Sequence, residues 1–180
     1  MNNTSIRLRK IIAAAIIAAV YAALTFAVAP ISYGPVQFRI SEVLCILPFF
    51  MPFTAWGLFA GCIIANLLSA YGPLDIIFGS IATLGAALTT AYLGRLGQSK
   101  ALKALGCFPP VIFNAVIVGA VIAWTTVGED AFWPTFVSFG ASVGFGELVV
   151  LYVIGFPLLI YLPKTRFFRK IVGRYGLSVE

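Results

Sequence analysis

The feature that most constrains this chain is a succession of apolar runs, most of them long enough to cross a bilayer. They cover residues 11–29, 41–53, 55–70, 75–94, 108–127 and 135–162. About 20 apolar residues in a helix span the ~30 Å hydrocarbon core. Hydrophobic residues make up 61% of the 180-residue chain and charged ones 10%, with mean hydropathy +1.03. Water-soluble domains carry about 25% charged residues, so lipid is the solvent here. The expectation is an all-α membrane protein. It is a single transmembrane domain over 1–180, a bundle of about six helices.

The breaks between runs carry turn chemistry. Residues 30–40 contain Ser32-Tyr33-Gly34-Pro35, Tyr71-Gly72-Pro73 precedes the fourth run, and 128–134 forms another turn. Pro48 and Pro52 interrupt the short second run, which reads as one arm of a hairpin with the third. Residues 95–103 read as a polar loop, Pro163 ends the last run, and a basic tail follows. Arg7, Arg9 and Lys10 precede the first run, which closes on Ala27-Val28-Ala29 as a signal peptide would. That run is longer than a signal core and is followed by Pro30, so it reads as a retained helix.

Positive charge in short loops marks the cytoplasmic side. With the N-terminus inside, the inner segments hold Arg7, Arg9, Lys10, Arg95, Lys100, Lys103, Lys164, Arg166, Arg169, Lys170 and Arg174, leaving Arg39 outside. Both termini are therefore expected in the cytoplasm. The net charge of +6 sits at the ends of apolar runs, which argues against a nucleic-acid partner. Cys45, Cys62 and Cys107 form no CxxC pair and there is no His, so zinc, haem and Cys–His chemistry lack their usual ligands. No cofactor is expected. No phosphate-binding G-x-x-x-x-G-K-[ST] occurs, so any ATPase is another chain.

A charge at bilayer depth costs about 2.5–3.5 kcal/mol on insertion scales, so each one needs a reason. Glu42, Asn66 and Asp75 map toward the outer ends of their runs, Arg39 to an outer loop, and Glu147 deep in the last run. The inner half is almost wholly apolar, which suits an outward-facing pocket better than a channel. Each residue also has a structural explanation. Arg39 and Glu42 stand three apart and can pair, Asp75 suits a helix N-terminus, and Asn66 and Asn114 suit interhelical hydrogen bonds. Glu129 and Asp130 suit a solvated loop. Glu147, between Gly144-Phe145-Gly146 and Leu148-Val149-Val150, has no such explanation. Trp124, Trp133, Phe132, Tyr33 and Tyr71 fall near the outer boundary, as an interfacial belt or as stacking partners for a flat ligand. Two rows of small residues, Ala14/Ala18/Ala22 and Ala15/Ala19/Ala23, line the first run and permit close helix approach.

The strings Ala29-Pro30-Ile31-Ser32-Tyr33-Gly34-Pro35-Val36-Gln37-Phe38-Arg39-Ile40-Ser41-Glu42, Leu47-Pro48-Phe49-Phe50, Gly61-Cys62-Ile63-Ile64-Ala65-Asn66-Leu67-Leu68 and Leu74-Asp75-Ile76-Ile77-Phe78-Gly79-Ser80 carry a resemblance. The chain resembles the substrate-binding (S) component of an energy-coupling factor (ECF) importer, closest to the QueT family, proposed carriers of queuosine precursors. The resemblance implies a six-helix S-component bundle in the bacterial cell membrane. Its ligand, a 7-deazaguanine (preQ0, preQ1 or queuine), would bind near the outer face. Ala15, Ala19 and Ala23 look like the docking stripe for the transmembrane coupling subunit, which connects to two cytoplasmic ATPases, and the S component reorients to deliver ligand inward. Under this reading Glu147 accepts the guanine-type N–H edge, and Asp75 or Glu42 meets an aminomethyl cation. Gln37 and Asn66 meet the carbonyl or ring nitrogen, Arg39 joins the ligand set, and Tyr71, Trp124 or Trp133 stacks. The 30–40 loop is the lid candidate. The competing expectations are an S component for riboflavin or thiamine, a stand-alone secondary carrier, an intramembrane enzyme, and a purely structural subunit.

Overall fold

The structure is a computed structural model, and it describes residues 3–33, 37–175 and 177. The expected turn at Gly34-Pro35-Val36 lies outside the described residues. Among the described residues the chain is helical or in turns, with no strand. α1 is Asn3–Ala27. A 3-10 segment follows at Ile40–Phe49, then α2 at Thr54–Asn66. α3 spans Gly72–Leu96, α4 Lys100–Val127 and α5 Phe132–Lys164. α6 is Arg166–Gly173. α1, α3, α4 and α5 are long and apolar enough to cross a membrane, and the two short elements complete the expected set of about six.

Three departures from the sequence expectation have clear causes. Where the sequence predicts a helix over 41–53, the structure has a 3-10 segment at Ile40–Phe49 followed by turns, with Pro48 inside the segment removing a backbone donor. The expected polar loop 95–103 shrinks to the residues between α3 and α4, because Ser99 Oγ accepts from Leu102 N and starts α4 at Lys100. The basic tail is not a tail. Thr165 caps α6 through Phe168 N at 3.3 Å, and Phe168 and Val172 are buried against the bundle.

Small residues set the helix spacing. Gly57 and Gly61 of α2 face Ala14 and Ala18 of α1, and a Cβ at Gly61 would stand 2.8 Å from the Ala18 carbonyl oxygen. Gly119 of α4 meets Gly140 of α5, where a Cβ would stand 2.7 Å from the Gly140 Cα. With no hydrophobic drive between helices in lipid, this close approach is the source of association.

One end of the bundle gathers both termini. Lys10 lies over the Phe53 ring at 5.8 Å, Phe53 packs on Tyr175 at 4.9 Å, and Phe50 packs on Phe168 at 5.2 Å. The 3-10 segment and α2 rise from this same basic end. The 10-residue 3-10 segment is about 20 Å long. The 13-residue α2 is about 20 Å long as well. Both stop about 10 Å short of the hydrocarbon thickness. Their far ends, at Arg39 and Asn66, are buried.

Candidate ligand-binding site

Glycine brings the incoming strap of chain against α5. A Cβ at Gly146 would collide with the Gln37 backbone, its carbonyl carbon lying 2.9 Å away, so the absence of a side chain lets residues 37–39 lie beside Glu147. Phe38 N donates to Ile31 O at 3.0 Å, and Tyr33 Oη donates to Ala65 O at 2.5 Å, tying the strap to the top of α2. Three of the long helices contain one π turn each, at Asp75–Gly79, Asn114–Val118 and Leu151–Gly155. The first two begin at polar site residues. Such turns widen a helix locally and recur at functional sites.

Gln37, Arg39, Glu42, Asn66, Asp75, Asn114 and Glu147 are all buried. Cys62 is their hub. Arg39 Nη1 points at its Sγ at 4.0 Å, Asn66 Nδ2 at 3.5 Å and Thr83 Oγ1 at 3.3 Å. Glu42 accepts from Tyr21 Oη, from Cys45 Sγ at 2.9 Å and from Thr83 Oγ1 at 3.3 Å. Asn66 Nδ2 also donates to Asp75 O at 2.9 Å, and Ser69 Oγ donates to Asp75 Oδ2 at 2.6 Å. Asn114 Nδ2 donates to Glu147 Oε1 at 3.0 Å, joining α4 to α5.

Two structural readings of these residues are replaced by the geometry. Arg39 does not hydrogen-bond Glu42; its Nε and Nη2 have no partner. Asp75 does not cap its helix through the side chain, and its Oδ1 is unpartnered. Gln37 Nε2, Asn66 Oδ1, Asn114 Oδ1, Glu147 Oε2, Ser32 Oγ and Ser80 Oγ are likewise buried without a hydrogen bond. Each such atom costs about 1–3 kcal/mol. Native interiors leave few polar groups unpaired. Asn66 and Asp75 converge beside Gly79, where a Cβ would stand 2.7 Å from both Asn66 Nδ2 and Asp75 Oδ1. At the rim, burial pushes the Tyr33 and Tyr71 hydroxyls above their ordinary range, with the Asp75 charge adding to both; Arg39 pulls Tyr33 the other way.

The remaining expected residues lie at the edge of this centre or beyond it. Tyr71 is half-buried against Val118, Ile122 and Val143. Trp124 and Trp133 are 52% and 72% exposed and belong to an outer aromatic group around Phe132, with centroids 6.3 and 5.3 Å from that ring. Ala15, Ala19 and Ala23 are exposed along α1, whereas Ala18 and Ala22 are buried, so the two alanine rows face different ways. Tyr21, Ser69, Ser80, Thr83 and the hub Cys62 were not singled out by sequence reasoning. Hydroxyls and a thiol inside apolar runs were the available signal, but such residues also bond their own helix backbone.

The family model described as QueT transporter matches residues 11–164. The chain belongs to the QueT transporter family. The match contains every buried polar residue described above, and α6 lies beyond it. A protein named queuosine precursor transporter QueT, from Lactococcus lactis subsp. cremoris (strain MG1363), is 42% identical over 76 residues, which is 41% of this chain and 44% of that protein. The match therefore spans less than half the length of that QueT relative. No solved structure matches the chain.

Proposed function

We propose that this QueT-family chain is the substrate-capture subunit of an ATP-driven ECF-type importer for a queuosine precursor. The observation that carries the reading is the buried set of unpartnered donors and acceptors around Arg39, Asp75 and Glu147. A 7-deazaguanine presents adjacent N–H donors on one edge and a carbonyl acceptor beside them. A carboxylate accepts such paired donors with charge-assisted strength. Glu147 Oε2 takes that edge, Asp75 Oδ1 or Glu42 meets the aminomethyl cation of preQ1, and Arg39 and Gln37 donate to acceptors on the ring. Asn66 Oδ1 accepts a ring N–H. Tyr71 flanks the site, and Trp124 and Trp133 line its outer approach.

The polar centre is closed over, so entry requires the 37–39 strap to lift and the Tyr33–Ala65 bond to break. That makes the 30–40 segment the lid. The basic end faces the cytoplasm by its excess of Lys and Arg. The exposed Ala15/Ala19/Ala23 row docks on a transmembrane coupling subunit, which joins two ATPases carried on separate chains, and reorientation delivers the ligand inward. The test is equilibrium binding of preQ0, preQ1, queuine, riboflavin and thiamine to the purified chain. Tight binding of a deazaguanine is expected, and preference for a flavin or thiamine, or binding of none by folded protein, overturns the reading.

A further inference from the structure

The polar centre buries three carboxylates, Glu42, Asp75 and Glu147, and one guanidinium, Arg39. Among the described residues the other buried charge is Lys103, near the start of α4. The three acids are not equivalent. Glu42 is engaged on both oxygens: Oε1 accepts from Tyr21 of α1 and from Thr83 of α3 at 3.3 Å, and Oε2 accepts from Cys45 Sγ at 2.9 Å. It ties the 3-10 segment to two long helices. Asp75 and Glu147 each keep one buried oxygen, Oδ1 and Oε2, without a partner. Their neighbours differ in kind. On the side of Glu147 the unpartnered atoms are mixed. Asn114 Oδ1 is an acceptor and Gln37 Nε2 a donor, with the Gln37 backbone lying against Gly146. A mixed set suits a planar ring edge that carries both donors and an acceptor. On the side of Asp75 they are oxygens alone, Asn66 Oδ1 and Ser80 Oγ. Asn66 is held there by its Nδ2 bond to Asp75 O at 2.9 Å, and Ser69 Oγ steadies the carboxylate by donating to Oδ2 at 2.6 Å. Ser80 directly follows Gly79, whose Cβ position lies 2.7 Å from Asp75 Oδ1.

We propose that Asp75 is the residue that selects ligand charge: its free oxygen, with Ser80 Oγ, seats an ammonium arm, while Glu42 touches no ligand and anchors the 3-10 segment. An ammonium is three donors and no acceptor, so oxygens alone satisfy it. A buried carboxylate without a counter-charge is costly. A cationic arm removes that cost at Asp75, and an uncharged arm of the same shape leaves it in place. This role rests on the queuosine-precursor reading of the site, and it gives the cation to one of the two carboxylates open to it.

Titration of two probes into the purified full chain tests it: preQ1, with its aminomethyl cation, and preQ0, with an uncharged nitrile in the same place. The wild type should bind preQ1 about tenfold or more tighter than preQ0, the worth of a hydrogen bond to a charged group. Asp75→Asn can keep the Ser69 bond through its amide oxygen, and it puts a donor where Oδ1 stood. It should lose about tenfold or more in preQ1 affinity while preQ0 affinity holds, so the preference collapses. Ser80→Ala should cut the preference about threefold, and it decides the matter if Asp75→Asn does not fold. Glu42→Gln should leave the ratio of the two affinities unchanged, whatever it does to the thermal melt, and Glu147→Gln should weaken both ligands alike. Equal wild-type affinity for the two probes, equal loss of both in Asp75→Asn, an unchanged ratio in Ser80→Ala where Asp75→Asn does not fold, or a preference that collapses in Glu42→Gln would overturn the assignment and leave the functional reading standing. Binding of neither probe by folded wild type would overturn both.

Discussion

At the basic end of the bundle, Phe50 packs edge-on against Phe49 and Phe168 with centroids 5.3 and 5.2 Å apart, inside a cluster that includes Ile46, Val111, Leu151, Leu159 and Val172. At the other end, Arg39, Asp75, Asn66, Asn114 and Glu147 are as deeply buried, yet each keeps at least one polar atom without a partner. One region is closed by complementary apolar surfaces. The other holds hydrogen-bonding capacity in reserve, at a cost in stability. On the proposed function, the difference means that the basic end secures the fold and leaves the polar end to be tuned for a ligand.

This contrast can be broken in a graded way. Phe50→Ala should lower the detergent-resistant stability of the chain by about 3 kcal/mol, the usual cost of emptying a packed aromatic site. Ligand affinity of the folded fraction should not change, as a binding titration beside a thermal melt would show. Arg39→Met should do the reverse. Arg39 makes only a 4.0 Å contact to Cys62 Sγ, with Nε and Nη2 unpartnered, so the melt should fall less than for Phe50→Ala, while ligand affinity falls by about 2 kcal/mol, the value of a hydrogen bond to a charged group. If Arg39→Met unfolds the chain, Arg39 belongs to the scaffold and the contrast fails. Gly79→Ala sharpens the boundary. Its Cβ would intrude 2.7 Å from Asn66 Nδ2 and Asp75 Oδ1. Affinity should fall about tenfold, with helix stability kept or improved by Ala over Gly. The smallest effect on the fold is expected on α1: Ala19→Leu, on the exposed row, should change stability by less than about 0.5 kcal/mol. It should leave binding intact and reduce only uptake in cells. A loss of binding in Ala19→Leu would show that the row acts through the site instead.

Much of the fold was legible because lipid is a strict solvent. The long spans follow from hydropathy and length, and both termini at one end follow from the even number of elements and the placement of Lys and Arg. The local forms were less legible. Nothing in Ile40–Phe49 distinguishes a 3-10 segment from a short helix except Pro48. The α6 helix did leave a signal, since Phe168, Ile171, Val172 and Tyr175 recur at helical spacing, but it is shorter than a hydropathy window. At the site, Arg39, Glu42, Asp75 and Glu147 stood out because charge in lipid demands explanation. Their partners did not. That Asn114 meets Glu147, that Thr83 reaches both Glu42 and Cys62, and that Gly146 admits the Gln37 backbone are facts of tertiary packing between segments far apart in the chain.

The central claim, that the buried polar centre is where ligand is held, is tested most directly by titrating preQ1 into the wild-type chain and into Glu147→Gln, with folding of both verified by thermal melts. Removing the charge from an acceptor whose Oε2 is unpartnered should weaken binding by about ten- to a hundredfold, in line with about 1.5–3 kcal/mol for a charged hydrogen bond. Equal affinity in the two folded proteins would contradict it and move the ligand away from Glu147.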